Sequence, residues 1–262
     1  MAFETMTLDV ADGIATITLM RPDAANAMNG AMLGEIWEAA LICEEDPAIR
    51  AVIITATGRM FCAGGDLKDF NARGDGLPAF VTRQATLLHA GITRFQRMDA
   101  PVIIAVNGVA AGAGLSLVAS GDVVLAADNA AFVSAYTASG LTPDGSSTYF
   151  LAKHIGLMRA KEMVLLNRKL TAQEACDWGL VTRVVPSDDL MAEAQKIAHG
   201  FAKGATKAYG GAKRLLLSAF DTTLETQLER ETVSIADMAR TRDGRHGIDA
   251  FASGQKPVFD GS

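Results

Sequence analysis

The stretch Pro101–Leu117 constrains this chain more than any other. It opens on Val102-Ile-Ile-Ala-Val106, an apolar run rich in β-branched residues that reads as a buried strand. The chain then passes through a small-residue turn containing Gly108, Gly112 and Gly114 and continues into Ala113–Ser120, which reads as the first turns of a helix. A strand that feeds a helix through Gly and Ala leaves backbone N–H groups at the helix start without intrahelical partners. Those groups, with the positive end of the helix dipole, attract developing negative charge. A second reading is purely architectural: a tight strand–helix corner where any bulkier side chain would clash.

A partner loop shifts the balance between these readings. Thr55-Ala-Thr-Gly58-Arg-Met-Phe61-Cys62-Ala63-Gly64-Gly65-Asp66-Leu67 also follows an apolar β-branched run, Val52-Ile53-Ile54, and also ends in glycines. Asp66 is an apt N-cap for a helix starting there. Two such loops can present two N–H donors to one oxygen, which is an oxyanion hole.

These motifs resemble those of the crotonase (enoyl-CoA hydratase/isomerase) superfamily. Phe61–Leu67 is similar to that family's first oxyanion motif and Asn107–Gly114 to its second, in the family's order and spacing. The resemblance runs from Arg21-Pro-Asp-Ala-Ala-Asn-Ala27 to Lys256-Pro-Val-Phe259. In pattern it is closest to the enoyl-CoA and epoxyphenylacetyl-CoA isomerases and to the 4-chlorobenzoyl-CoA dehalogenase branch. It implies an α/β fold: a spiral of repeated ββα units, with a C-terminal helical region that packs into trimers. It also implies an acyl-CoA thioester substrate, with no cofactor beyond the coenzyme A that the substrate carries. The oxyanion donors fall by position on the backbones of Gly65 and Ala113. Coenzyme A contacts fall on Arg21, Ala24, Ala25, Ala27, Ala63, Gly64, Asp66, Leu67 and Gly112. Phe251 and Lys256 are expected at the nucleotide end of a neighbour's ligand.

A chain of 262 residues with 49% hydrophobic content is long and apolar enough to bury a sizeable core. A net charge of −6 argues against nucleic-acid or membrane partners recruited by bulk charge. No apolar stretch approaches a membrane span, and no secretory signal is visible, so a cytoplasmic location is expected. Cys43, Cys62 and Cys176 are odd in number and widely spaced, which suits a reducing compartment and neither a disulfide framework nor a zinc site. Cys62 reads as a small buried apolar residue rather than a nucleophile.

Taken in order, the chain predicts a hairpin of Thr5–Val10 and Ile14–Met20 around Asp12-Gly13. Asn29 predicts the N-cap of a helix over Met32–Glu45. Strand Ala51–Thr55 leads into the first glycine loop, and Asn71–Pro78, polar and Gly-rich, is expected as a loop that is mobile or covers the site entrance. Helix Ala79–Met98 carries His89. After the central strand–turn–helix come strands Asp122–Ala127 and Ala131–Ser134, a turn-rich loop over Tyr136–Gly145, and helices Ser147–Ile155 and Met158–Leu166. Thr171 and Glu174 form a capping-box pattern opening Ala172–Trp178, with Gly179 as its stop. Val181–Val185 is the last expected strand. Helices are then expected over Leu190–Lys203, Lys207–Ala219, Leu224–Arg240 and Arg245–Ser253. The composition shift divides the chain into a ββα core, 1–195, and a helical oligomerisation region, 196–262. Amphipathic stripes on the latter predict a homo-oligomer, a trimer or a dimer of trimers.

The acid–base residues decide which reaction an oxyanion hole serves. In the family's hydratases two glutamates hold water; at those positions this chain has Ser116 and Tyr136. One carboxylate remains in the loop facing the site, Asp144. Family isomerases carry an acid there. Asp144 in Pro143-Asp-Gly145 is otherwise a turn residue bonded to its own backbone. Asp144 is expected as the catalytic acid–base of an isomerase that moves a double bond or opens a ring. A hydratase-like lyase with non-standard residues is a further reading.

His89, Tyr136 and Asp144 also fit the dehalogenase branch, in which the Asp attacks the ring and the His activates water; Tyr136 departs from that branch, which carries Trp. His89 otherwise reads as a helix histidine satisfied by packing or a hydrogen bond. A non-catalytic acyl-CoA-binding relative would also lack both glutamates. No metal-ligand spacing, dinucleotide fingerprint or Gly-x-Ser-x-Gly elbow appears.

Overall fold

The structure, a computed structural model, describes residues 3–262. The chain begins with a hairpin, β1 Met6–Ala11 and β2 Ile14–Leu19, paired antiparallel. Asp12 and Gly13 both take positive φ, 52° and 76°, the geometry that a two-residue turn between right-twisted strands requires. Asn29 caps α1 (Gly30–Glu45) by accepting the Met32 N–H.

Three strand–strand–helix units follow. β3 (Ala51–Ala56) and β4 (Met60–Cys62) lead to α2 (Leu67–Asn71) and α3 (Leu77–Arg97). β5 (Val102–Val106) and β6 (Val109–Ala111) lead to α4 (Ala113–Ala119). β7 (Val123–Ala127) and β8 (Ala131–Val133) lead to α5 (Ser147–Ile155) and α6 (Leu157–Leu166). The first strand of each unit enters a six-stranded sheet, β1-β2-β3-β5-β7-β10; the second enters a four-stranded sheet, β4-β6-β8-β9. Here β9 is Leu170–Thr171 and β10 is Arg183–Val185, on either side of α7 (Ala172–Trp178). Apart from β1/β2 and β8/β9, all pairs are parallel. This is the repeated ββα spiral that the resemblance implies.

Every residue of β3 and of β5 is buried, because helices cover both faces of the large sheet. On one face Val52, Ile54, Val102 and Ile104 join a core with α1, α3 and α4. On the other, Ile53, Ile103, Ala105 and Leu125 meet Ala194, Ala198 and Ala202 of α8 (Leu190–Ala202). The division expected at 195/196 therefore falls inside a helix that packs on the sheet.

The remaining helices are α9 (Thr206–Ser218), α10 (Leu224–Arg240) and α11 (Arg242–Ala252). Lys213 of α9 clips this region to the core: its Nζ donates to the carbonyls of Phe95 and Ala100 and pairs with Asp122 at 2.7 Å. Burial pushes the lysine down and the aspartate up, so the pair is held against desolvation by its own geometry. No described residue of α10 is buried in the single chain, and Leu224, Leu228, Val233 and Ile235 stand exposed on it. No helix among the described residues is long and apolar enough to cross a membrane.

The sequence reading and the structure differ in detail. β4, β6 and β9 were not expected; each is three residues or fewer, too short to show a period. The expected loop 71–78 contains a 3-10 turn, Gly74–Gly76, and gives way to α3 at Leu77, with Pro78 in the first turn where its missing N–H is harmless. The last helix starts three residues early, at Arg242, because Thr241 caps it by accepting the Gly244 N–H.

Candidate active site

The two glycine loops meet. Gly64 has φ 97°, and a Cβ there would lie 3.1 Å from the Ala111 carbonyl and 3.3 Å from the Ala113 nitrogen. A Cβ on Gly112, φ 51°, would lie 3.4 Å from the Gly64 Cα. Gly114 sits over β4, where a Cβ would be 2.5 Å from the Cys62 carbonyl oxygen. The glycines are thus both the packing corner and the means by which two backbones approach one point. Cys62 is buried in that corner; burial pushes its thiol up to about 12, so it stays protonated and acts as packing.

The Arg21–Met28 segment straps the first loop from outside. Met28 N donates to the Gly64 carbonyl at 2.7 Å, Asp66 N to the Met28 carbonyl at 3.1 Å, and Ala63 N to the Ala25 carbonyl at 3.0 Å. Because Gly64 O and Asp66 N both face Met28, the Gly65 N–H between them points the other way. Neither it nor the Ala113 N–H, the first of α4, donates to an acceptor among the described residues. Both residues line a pocket of about 540 Å³.

Asp66 is the N-cap of α2, accepting from Lys68 N, and pairs with Arg21 at 3.1 Å. Arg21 also donates to the Ala27 carbonyl, so its guanidinium holds the strap. Ala24, Ala25 and Ala27 are half-buried on the strap, with Ala25 left-handed at φ 53°. The reading of the sequence passed over Asn26, the residue that shapes this strap. It is fully buried at φ 51°; its Nδ2 donates to the carbonyls of Thr57 and Met60, and its Oδ1 accepts the Arg21 N–H. An Asn after two alanines was the available signal, since Asn tolerates the left-handed region.

Much of the pocket wall is apolar. Met28, Leu33, Leu67, Phe70, Val81, Leu88 and Leu141 line it with Ala63, Gly64 and Gly112. Phe70 lies against Gly65, where a Cβ would meet its ring at 2.9 Å. Phe70, Val81 and Thr82, rather than residues 71–78, supply the α2–α3 side of the pocket.

His89, Tyr136 and Asp144 line the same pocket. Tyr136 Oη donates to Asp144 Oδ1 at 2.6 Å. Ser116 Oγ lies 2.9 Å from Tyr136 Oη and 2.9 Å from the Asp144 carbonyl oxygen. Tyr136 has one proton and gives it to the carboxylate; Ser116 likewise has one, which either the Tyr136 oxygen or the Asp144 carbonyl accepts. Burial first, then the Asp144 charge, push the phenol well above its ordinary range, which keeps it a donor. Asp144 Oδ2 accepts no hydrogen bond from the described residues. His89 Nε2 accepts the Gly145 N–H at 3.0 Å.

Phe251 and Lys256 lie apart from these residues. Phe251 is 72% exposed on α11 and Lys256 is in the exposed tail beyond it; neither lines the pocket. No cluster of metal-ligating side chains occurs among the described residues.

Comparison with known proteins places the chain among acyl-CoA enzymes. The family model for enoyl-CoA hydratase/isomerase matches residues 9–262. The 1,2-epoxyphenylacetyl-CoA isomerase of Escherichia coli K12 is 38% identical over 253 residues, covering 96% of this chain and 97% of that one. The 4-chlorobenzoyl coenzyme A dehalogenase-1 of an Arthrobacter species is 33% identical over 225 residues, 86% of this chain and 82% of that one. A crystal structure of an enoyl-CoA hydratase from Polaromonas sp. JS666 superposes with a TM-score of 0.91 at 33% identity, covering 96% of this chain and 98% of the other.

Proposed function

The chain belongs to the enoyl-CoA hydratase/isomerase family, and on that premise we propose that it is an acyl-CoA isomerase in which Asp144 moves one proton between the α and γ carbons of an enoyl thioester. One observation carries this reading: Asp144 is the sole carboxylate among the described residues lining the pocket, and its Oδ2 is left unbonded. An isomerase needs one such group, because the proton removed from one carbon returns to another. A hydratase mechanism with two carboxylates has Ser116 and Tyr136 in their places.

The thioester oxygen would sit between the Gly65 and Ala113 N–H groups. As Asp144 Oδ2 takes the α proton, electron density moves onto that oxygen and across the conjugated carbons. The two donors hold the enolate, and losing one such donor typically costs about 3–4 kcal/mol of barrier stabilisation. Asp144, now protonated, returns the proton at the γ carbon. Burial keeps Tyr136 protonated, so it holds Oδ1 throughout and the transfer uses Oδ2 alone. The strap Arg21–Ala27 would carry the coenzyme A, with Phe251 and Lys256 reaching the nucleotide end of a neighbour's ligand in an assembly of three copies or two such trimers.

Asp144→Asn keeps the shape and removes the base. Incubation with a β,γ-enoyl-CoA, followed by the ultraviolet absorbance of the conjugated product, is expected to show activity lost while calorimetric affinity for the thioester is nearly intact. Full activity in Asp144→Asn would sink the isomerase reading.

The dehalogenase-like reading has one observation in its favour: His89 and Asp144 face the same pocket. It predicts an aryl ester trapped on Asp144 in His89→Gln, visible by mass spectrometry after exposure to a halobenzoyl-CoA.

A further inference from the structure

The isomerase reading leaves the pocket histidine without a role, and its hydrogen bond supplies one. His89 lies on α3, across from the loop that carries Asp144, and its Nε2 accepts the Gly145 N–H at 3.0 Å. A backbone N–H only donates, so Nε2 must present a lone pair. The neutral ring then carries its proton on Nδ1.

The rest of that loop is fixed from the other side. Gly145 is buried with φ 59°, and a Cβ on it would lie 2.8 Å from the Ser116 Cβ and 2.9 Å from the Leu88 Cδ2. Asp144 offers its carbonyl to Ser116 Oγ at 2.9 Å and to Ser147 Oγ at 3.0 Å. Both polar groups of the peptide that follows the carboxylate are therefore tied, the Asp144 carbonyl by the two serines and the Gly145 N–H by His89.

We propose that His89 is a positioning residue: an acceptor clamp on the Gly145 N–H that sets where the Asp144 carboxylate stands. Asp144's acid–base role under Proposed function is the premise for the kinetic consequence. The lone pair that a base would use on Nε2 is already engaged. The titratable groups facing the ring across the pocket are Asp144 and Tyr136, both on the loop that it holds. From α1 and α2 come Leu33, Leu67 and Phe70, and no Lys, Arg or Glu among the described residues lines the pocket.

The tautomer is readable without turnover. In the full-length protein labelled with ¹⁵N-histidine, with the His89 signals assigned by their absence in His89→Gln, the expected pattern is a protonated Nδ1 and an unprotonated Nε2. The opposite tautomer overturns the proposal. In kinetics, His89→Gln replaces the ring with an amide oxygen that can accept the same N–H, so it should keep most of kcat. His89→Leu has no acceptor and should lose about 10²-fold in kcat with little change in KM, as a displaced reacting group does. Equal loss in both variants, or an ester trapped on Asp144, would make the histidine a base and end the proposal. An active Asp144→Asn would strike the isomerase reading while leaving the tautomer measurement to stand or fall separately.

Discussion

Tyr136→Phe removes one oxygen from the site and leaves the ring that packs there. The lost interaction is a 2.6 Å hydrogen bond from a neutral donor to the Asp144 carboxylate. Hydrogen bonds to charged groups contribute about 1.5–3 kcal/mol. At about 1.4 kcal/mol per decade, kcat/KM should fall by roughly 10- to 150-fold. Part of the effect is orientation: with Oδ1 released, the carboxylate can turn about its own axis, and Oδ2 no longer faces the substrate by default. Ser116 Oγ keeps the Asp144 carbonyl as an acceptor at 2.9 Å, so the fold should hold, and the unfolding midpoint should change little. Burial keeps the wild-type phenol protonated well above its ordinary range. Tyr136 therefore contributes no alkaline limb between about pH 7 and 10, the range below an ordinary tyrosine pKa. Wild type and Tyr136→Phe should share the same alkaline side of the kcat/KM profile while differing in height. The assay is initial-rate kinetics on a β,γ-enoyl-CoA across pH. A variant as active as wild type, or a wild-type alkaline limb that vanishes with the hydroxyl, would refute this account of Tyr136.

Lys213→Met breaks the 2.7 Å pair with Asp122 and leaves an aspartate that is 20% exposed without its cation; loss of one partner from a buried pair is expected to destabilise by about 3–5 kcal/mol in urea unfolding, and Lys213→Met/Asp122→Asn should recover much of it. The exposed apolar side chains of α10 and α11 need a cover, and the expected cover is other copies of the chain; light scattering at micromolar concentration should give a trimer or hexamer, and a stable monomer would contradict this.

The long elements were legible in the sequence, and the short ones were not. The residues of β3 and β5 are near-continuous apolar runs because both sheet faces are covered, and such runs announce themselves. The capping box at Thr171 and Glu174 forms as its pattern implies, with each side chain bonded to the other's backbone. β4 and β6, at three residues each, have no readable period; their place is set by parallel pairing to each other and to β8, which is a property of the assembled spiral. The glycine loops were visible as motifs, but their mutual contact was not. Only the structure shows that Gly64 is glycine because Ala111 and Ala113 pass against it. The strap's dependence on Asn26 escaped for a related reason: of its three hydrogen-bond partners only Arg21 is local, while Thr57 and Met60 reach it only when the segment joining β3 to β4 folds against the strap.

The packing at Ser116 also bears on which reaction the site favours. Ser116 is fully buried in α4, its hydroxyl is within reach of both Tyr136 and the Asp144 carbonyl, and Gly145 presses against it so closely that a methyl group there would come within 2.8 Å of the Ser116 Cβ. A longer acidic side chain at this position would have to displace the Asp144–Gly145 peptide or Tyr136. A second carboxylate beside Asp144 would also oppose it electrostatically, since two such groups in one site cannot both ionise freely. The tight serine, the tyrosine that donates rather than ionises, and the single free carboxylate oxygen therefore form one consistent set. Each removes a place where a second carboxylate could hold an attacking water, which supports the proposed reading of Asp144 as the group that takes a proton and gives it back.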